Sequence, residues 1–331
     1  MNYKNIYILG VGGSGMSSIA KYLKQKGDNV IGYDQRKSYV TNLLNQDGIK
    51  VVHTLKEIAY KSDCLYIYSS AIPIESERFE DFYDKKNVIS RPEYLQNLSK
   101  NHKIIGITGT HGKTSTTALL SHIFHFNNLN VSYLYGGITT FNGIGGHYGD
   151  ADQPLVLETD EAFNTFEKIN ISDLLVLNVD SDHLDYFKNI DNYKDAFYKV
   201  MKNVKDNLVV NNDDLNIKSM KELKNSIAYG KDISADFKVQ SPGKFIYENN
   251  KYEIKSEIIG DHFKSNMIGA IILAFLNGIE IKDSLNAIES FPGVKRRIEL
   301  IGRSKGVSIY DDYGHHPTEM EATITALKQQ T

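Results

Sequence analysis

A single cysteine, six prolines and no tryptophan occur in 331 residues. Cys64 lies in the apolar run Cys64–Tyr68, where it reads as a core residue, and it has no partner for a disulfide within the chain. This excludes a disulfide-built secreted scaffold and fits a reducing cytoplasm. No apolar run approaches the roughly 20 residues that span a bilayer, so no membrane association is expected. A strand begins almost at Met1, and no signal peptide is expected ahead of it. A long basic block is missing as well, and the net charge is -3, so nucleic acid is not expected as a partner. Internal repeats and low-complexity tracts are absent.

What remains is a patterned chain, 41% hydrophobic, with room for two or three domains. In the first part, short apolar runs (Asn5–Leu9, Asn29–Tyr33, Ile49–Val52, Leu65–Tyr68, Val88–Ile89) alternate with helix-like stretches such as Met16–Lys26 and Tyr39–Gln46. Repeated βα units predict an α/β fold with a parallel sheet covered on both faces. The polar stretch Asn97–Lys103 marks a boundary. A second series follows, with strands at Lys103–Thr108, Val131–Leu134, Leu155–Glu158, Leu174–Val179 and Asn207–Val210. Its helices are expected at Lys113–Phe126, Tyr193–Val204, Lys264–Asn277 and Lys282–Ser290, and a glycine-rich segment runs from Gly136 to Gly149. Asp236–Ile254 alternates around "ENNK", a hairpin signal. After "FPGVKRR" a third series starts, with strands at Arg297–Gly302 and Val307–Tyr310 and a helix from Pro317. It runs for only about 30 residues where a domain usually needs 50 or more, so this unit reads as cut off.

Two loops are built for phosphate. "GITGTHGKTSTTALL" places Gly109, Thr110, His111, Gly112, Lys113, Thr114 and Ser115 between an apolar strand and a helix. Glycines let backbone N–H groups approach an anion, and the helix start adds its dipole. Lys113 can pair with the β- and γ-phosphates of ATP, and the Thr114 hydroxyl can bind Mg2+. Ile107 stands where the strict phosphate-loop pattern has glycine, so the match is to a variant. "IYILGVGGSGMSSIA" carries Gly10, Gly12 and Gly15 at another strand-to-helix turn, and Asp34 closes the next strand. Alone, that fingerprint predicts NAD with Asp34 on the ribose, though its geometry serves any nucleoside diphosphate. A hydride-transfer enzyme does not explain a second loop for ATP, so the pair favours another nucleotide diphosphate.

Acidic clusters follow two predicted strands: Glu158, Asp160 and Glu161 in "LVLETDEAF", and Asp180, Asp182, His183 and Asp185 in "NVDSDHLDYF". Ligands of open α/β sheets sit at the carboxyl ends of strands. Glu158 and His183 are therefore candidate metal ligands, against the alternative that acidic residues there cap helices. His262, Arg296, Arg297, Asp312, His315 and His316 lie in polar turns and carry no role on spacing alone.

In order and spacing, "GVGGSGM", "GTHGKT", "E-x-DE", "DHLDYF", "GVKRR-x-E" and "DDYGHHPTE" resemble the Mur ligase family over the whole chain. "GVGGSGM" with "DDYGHHPTE" points to the branch that adds L-alanine to UDP-N-acetylmuramate. The resemblance implies three units: a Rossmann-like UDP-sugar domain (residues 1–101), a P-loop α/β ATPase domain (102–296), and the start of a third α/β domain (297–331). It implies ATP and Mg2+ as cofactors, and a cytoplasmic monomer or dimer. Gly12, Gly13, Ser14, Gly15 and Met16 would lie on the UDP diphosphate, with Asp34, Ser69 and Ser70 towards the uridine. Lys113 would touch ATP phosphates; Thr114, Glu158 and His183 would hold metal. His262 and Asn266 would contact adenine, Arg297 the nucleotide and Asp312 the ribose, with Tyr313 and His315 near the amino acid. Ala162 and Phe163 stand where the family has Ser-Asp, and Phe263 where it has Asn. The resemblance also leaves open a relative that attaches a whole tripeptide to the same sugar, and a non-catalytic nucleotide binder.

Overall fold

The computed structural model describes residues 3–182, 184–220, 223 and 226–329. The first unit contains β1 (Asn5–Leu9), α1 (Ser14–Gln25), β2 (Asn29–Tyr33), α2 (Tyr39–Gln46), β3 (Lys50–Val52), β4 (Leu65–Tyr68), β5 (Val88–Ser90) and α3 (Arg91–Ser99). Its sheet has the order β3-β2-β1-β4-β5, and each neighbouring pair is parallel. The strand order reverses beside β1, so the loop leaving β1 opens into the crevice where such sheets bind nucleotides.

The second unit contains β6 (Ile104–Thr108), α4 (Lys113–Phe126), β7 (Ser132–Thr139), β8 (Gly143–His147), β9 (Leu155–Glu158), β10 (Asp173–Val176), α5 (Leu184–Phe187) and α6 (Ile190–Lys202). It continues through β11 (Asn207–Asn211), α7 (Leu215–Lys218), β12 (Ser226–Gly230), β13 (Phe237–Ser241), β14 (Lys244–Tyr247), β15 (Asn250–Glu253), α8 (Asp261–Leu276) and α9 (Ile281–Glu289). Its ten strands run β15-β14-β13-β12-β11-β10-β6-β9-β7-β8. β6 and β10 are buried along their whole length, which is why they read as unbroken apolar runs in the centre of a parallel sheet. The "ENNK" signal is a two-residue turn: Glu248 and Asn249 both have positive φ, joining β14 to β15. A last unit has β16 (Glu299–Ser304), β17 (Val307–Asp311) and α10 (Pro317–Lys328). The antiparallel pair β16–β17 forms its own two-stranded sheet.

The glycine-rich segment departs from expectation. β7 runs on to Thr139, and β8 returns antiparallel to it. This hairpin lies against α1, and glycine permits the approach: a Cβ on Gly146 would fall 2.0 Å from the Ser18 carbonyl oxygen. Lys21 of α1, 7% exposed, donates to the carbonyls of Asn142 and Ile144 and pins the hairpin turn to the first unit. α1 is therefore covered on one side by its own sheet and on the other by the second unit.

His147 ends β8 beside Tyr133 and 5.0 Å from the His125 ring. Burial, then the charges of His125 and Lys21, pull its pKa down to about 4 against Asp150. A depressed imidazole favours the neutral ring in the fold. Its contribution is present above the ordinary histidine value of about 6.5 and is lost as pH falls towards 4. Melting temperature should drop over that window, and His147→Gln should flatten the drop. An identical pH profile in the variant would contradict the assignment.

Candidate active site

β6 is held rigidly in the sheet interior, so the chain must leave it sharply. Gly109 (φ +144°) and Gly112 (φ +85°) supply backbone conformations that side chains disfavour. A Cβ on Gly112 would also fall 2.4 Å from the Asn266 side-chain nitrogen. Asn178, just beyond β10, clamps the loop from both sides. Its oxygen accepts from the His111 N–H at 2.8 Å, and its amide donates to the His111 carbonyl at 3.0 Å. α4 then starts at Lys113 with no acidic residue in its first turn, leaving its dipole free to attract an anion.

The Lys113 ammonium donates to the carbonyls of Gly109 (2.6 Å) and Thr110 (3.0 Å) and to Glu161 (2.9 Å). Burial pulls its pKa down, but the charges of Glu161, Asp160 and Glu158 outweigh that and raise it. The Thr114 hydroxyl donates to one Glu158 oxygen at 2.7 Å, and the Gly136 N–H donates to the other at 2.5 Å. A hydroxyl and a carboxylate so placed are hard oxygen donors of the kind Mg2+ takes, and they fit the ion. His183, the third expected ligand, lies outside the described residues.

The first loop is fixed differently. Gly10 and Val11 donate to the Tyr33 carbonyl at 2.7 and 3.0 Å. Asp34 accepts from the Gly12 N–H at 2.8 Å and the Arg36 N–H at 3.0 Å, so its carboxylate anchors the loop. Gly13 precedes α1 as its cap; Ser14 and Gly15 begin the helix. Met16 is 2% exposed with its side chain in the core, leaving only its backbone near the loop. Ser69 packs beside Gly10, with exposed Ser70 next to it. Gly10–Gly15, Asp34 and Ser69–Ser70 thus gather at the carboxyl ends of β1, β2 and β4.

The start of α1 and the second loop open onto one cleft of about 430 Å³, lined by Ser14 on one side and by Thr110, Lys113, Thr114 and Glu158 on the other, with Tyr313 and His315 also on its wall; Gly12, Gly13, Gly15, Met16 and Asp34 do not line it. Gly136 sits where the two sides meet: a Cβ there would lie 3.1 Å from the Ser14 hydroxyl and 3.4 Å from Glu158. On the other side of the phosphate loop, a cleft of about 400 Å³ is lined by Gly112, Ser115, His262, Asn266, Arg297 and Asp312. Phe263 lines it too, its ring 4.4 Å from His262, presenting an aromatic wall in place of an amide. Ala162 opens a short turn, its N–H donating to Asp160 at 3.0 Å, and Phe163 follows it.

The entry to the last unit is strained. Arg296 and Ile298 have φ of +60° and +50°, costly for a β-branched residue. Hydrogen bonds hold them: Arg296 N–H to Glu299 and Ile298 N–H to Asp312, both 2.8 Å. The other Asp312 oxygen accepts from Gly314 at 2.7 Å, so Asp312 orders the "DDYGHH" turn. Tyr313 lies beneath the guanidinium groups of Arg296 and Arg297, at 5.1 and 5.3 Å.

Two residues at the site carry no sequence motif. Asn178 shows only as a polar break in the apolar run Leu174–Val179. Nothing marks Arg91, which pairs with Asp160 at 3.8 Å and fills the space a Cβ on Gly15 would need.

The Mur ligase middle domain matches residues 107–274, the Mur ligase family catalytic domain residues 5–103, and the Mur ligase glutamate ligase domain residues 296–331. The UDP-N-acetylmuramate--L-alanine ligase of Caldicellulosiruptor bescii is 36% identical over 98% of this chain and 74% of its own length. The crystal structure of UDP-N-acetylmuramate-alanine ligase from Thermotoga maritima is similar with a TM-score of 0.84, at 24% identity over 98% of this chain and 77% of that one. A murein peptide ligase from Psychrobacter arcticus gives 0.79 at 22% identity, over 98% and 76%.

Proposed function

The chain belongs to the Mur ligase family, and we propose that it joins L-alanine to the carboxylate of UDP-N-acetylmuramate, with ATP giving ADP and phosphate. Members of this family are ATP-dependent amide-bond-forming ligases. The observation that carries the reading is the shared cleft, where the helix start of the first loop (Ser14) faces Lys113, Thr114 and Glu158. In this reading Gly12–Met16 hold the UDP diphosphate, with Asp34, Ser69 and Ser70 on the uridine side. His262, Asn266, Arg297 and Asp312 take the adenosine, and Tyr313 and His315 face the alanine.

A carboxylate is a poor electrophile at neutral pH. In the reaction proposed, a muramyl carboxylate oxygen attacks the γ-phosphorus, the bond to the β-phosphate oxygen breaks, and an acyl phosphate and ADP result. The alanine amine then attacks the acyl carbon, phosphate leaves, and the amine loses its proton to solvent or phosphate. Lys113 neutralises phosphate charge as it builds, and its carbonyl partners set where the ammonium points. Thr114 and Glu158, with His183, would hold Mg2+, which supplies further charge neutralisation. The cleft walls align the reactants and keep water from the acyl phosphate. The product belongs to peptidoglycan precursor synthesis, a cytoplasmic step. Among the described residues no helix is long and apolar enough to cross a membrane.

ADP release with UDP-N-acetylmuramate should require L-alanine. Release supported by the tripeptide alone would transfer the reading to the recycling ligases. Tight UDP-sugar binding with no amide product from either acceptor would make the chain a nucleotide binder.

A further inference from the structure

Resting on the reading of "GTHGKT" as the ATP loop, we propose that His111 is a positioning residue that latches the last unit across that loop, rather than a ligand of phosphate. Both ring nitrogens are engaged by protein. Nε2 meets Asp180 at 3.1 Å, and Nδ1 meets Glu319 of α10 at 3.2 Å. The two carboxylates come from different units, so the imidazole bridges them. The first turn of α10 adds to the same junction. Thr318 donates its hydroxyl to Asp180 at 2.7 Å, the His316 ring lies 4.9 Å from that of His111, and His316 Nε2 reaches the Ser181 carbonyl at 3.2 Å. Arg297, at 3.9 Å, and His315, at 3.8 Å, also face Glu319.

The electrostatics agree with this geometry. Burial opposes charge on His111, but the hydrogen bonds and charges of Glu319 and Asp180 outweigh it and raise its pKa. Glu319 is drawn down to about 2, chiefly by its hydrogen bond to His111. A cationic ring between two anions forms charge-assisted hydrogen bonds, the stronger kind. Asn178 fixes the His111 backbone from both sides, so the ring is presented to Asp180 and Glu319 from a held loop. Docking of α10 therefore adds a second restraint, through the His111 ring, to a loop that Asn178 already holds by its backbone.

Hydrogen–deuterium exchange over residues 317–328 tests this without needing turnover, so a failed ligase assay leaves the result standing. His111→Ala and Glu319→Gln should each speed exchange there by roughly tenfold, the scale of one lost charged hydrogen bond. The double variant should exchange more slowly than the two single effects added together predict, since both singles remove the His111–Glu319 contact while each also loses a contact of its own. In turnover, His111→Ala should lower kcat while KM for ATP stays within about twofold. Unchanged exchange in either single variant, or additive effects in the double, would overturn the latch. So would loss of ATP affinity in His111→Ala with α10 still protected, which would make His111 a direct phosphate ligand. His111, Asp180 and His316 also lie close enough to share a metal ion. Protection of α10 that disappears on adding a chelator would overturn the latch in favour of that ion.

Discussion

Lys113→Ala is expected to slow ADP release at least about a hundredfold, because removing one preorganised contact to developing charge costs about 2.7–4 kcal/mol. The ammonium lies 2.6 Å from the Gly109 carbonyl, 3.0 Å from that of Thr110 and 2.9 Å from Glu161, so it is held in the loop by protein acceptors, one of which a phosphate oxygen would replace. The same substitution leaves Glu161, 1% exposed, without its ammonium partner. Removing one member of a buried pair costs about 3–5 kcal/mol unless the survivor is neutralised. Stability and activity must therefore be measured separately. Lys113→Ala combined with Glu161→Gln should recover much of the melting temperature and none of the turnover. If the double variant regains turnover, Lys113 is a structural lysine and the phosphate role is wrong.

Glu158→Gln is expected to have the second largest effect. The amide retains an oxygen that can accept from Thr114 or Gly136, so the fold should survive with at most a small drop in melting temperature. What it loses is the negative charge beside the Thr114 hydroxyl. The dependence of ATP binding on Mg2+ should weaken, and turnover should fall by about a hundredfold on the same scale of lost charge stabilisation. Isothermal titration of ATP with and without Mg2+ separates the two states. Unchanged metal dependence in Glu158→Gln would remove Glu158 from the metal site.

The sequence is most legible where one local pattern decides the outcome. β1, β2, β4, α2, α4 and β9 begin and end at the residues predicted, because buried runs and amphipathic turns mark their own limits. α3 escaped notice: "RPEYLQNLS" has little apolar periodicity, and its Ser90 cap and early proline do not stand out beside a polar boundary. The β7–β8 hairpin was hidden for the opposite reason. Glycines usually argue against a strand, but here they serve the close approach to α1, a partner more than a hundred residues away in sequence. At the site, the two glycine loops and the placement of Glu158 beside Thr114 were legible because a strand-to-helix glycine turn and a carboxylate at a strand end are local patterns. The clamp by Asn178, the seat of Arg91 against Gly15, and the two contacts of His111 were not. Each depends on segments that meet only once the sheets have formed. Asp34 shows the limit of a fingerprint: the residue is where the pattern places it, yet its carboxylate is engaged by the loop itself.

The most direct test of two nucleotides on one chain is calorimetric. UDP-N-acetylmuramate is titrated into protein saturated with Mg2+ and a non-hydrolysable ATP analogue. Binding of the sugar nucleotide with the analogue retained is expected, and Gly12→Val, which crowds Asp34, should abolish the first without the second. Displacement of the analogue by the sugar nucleotide, or binding of NADH in its place, would contradict the account.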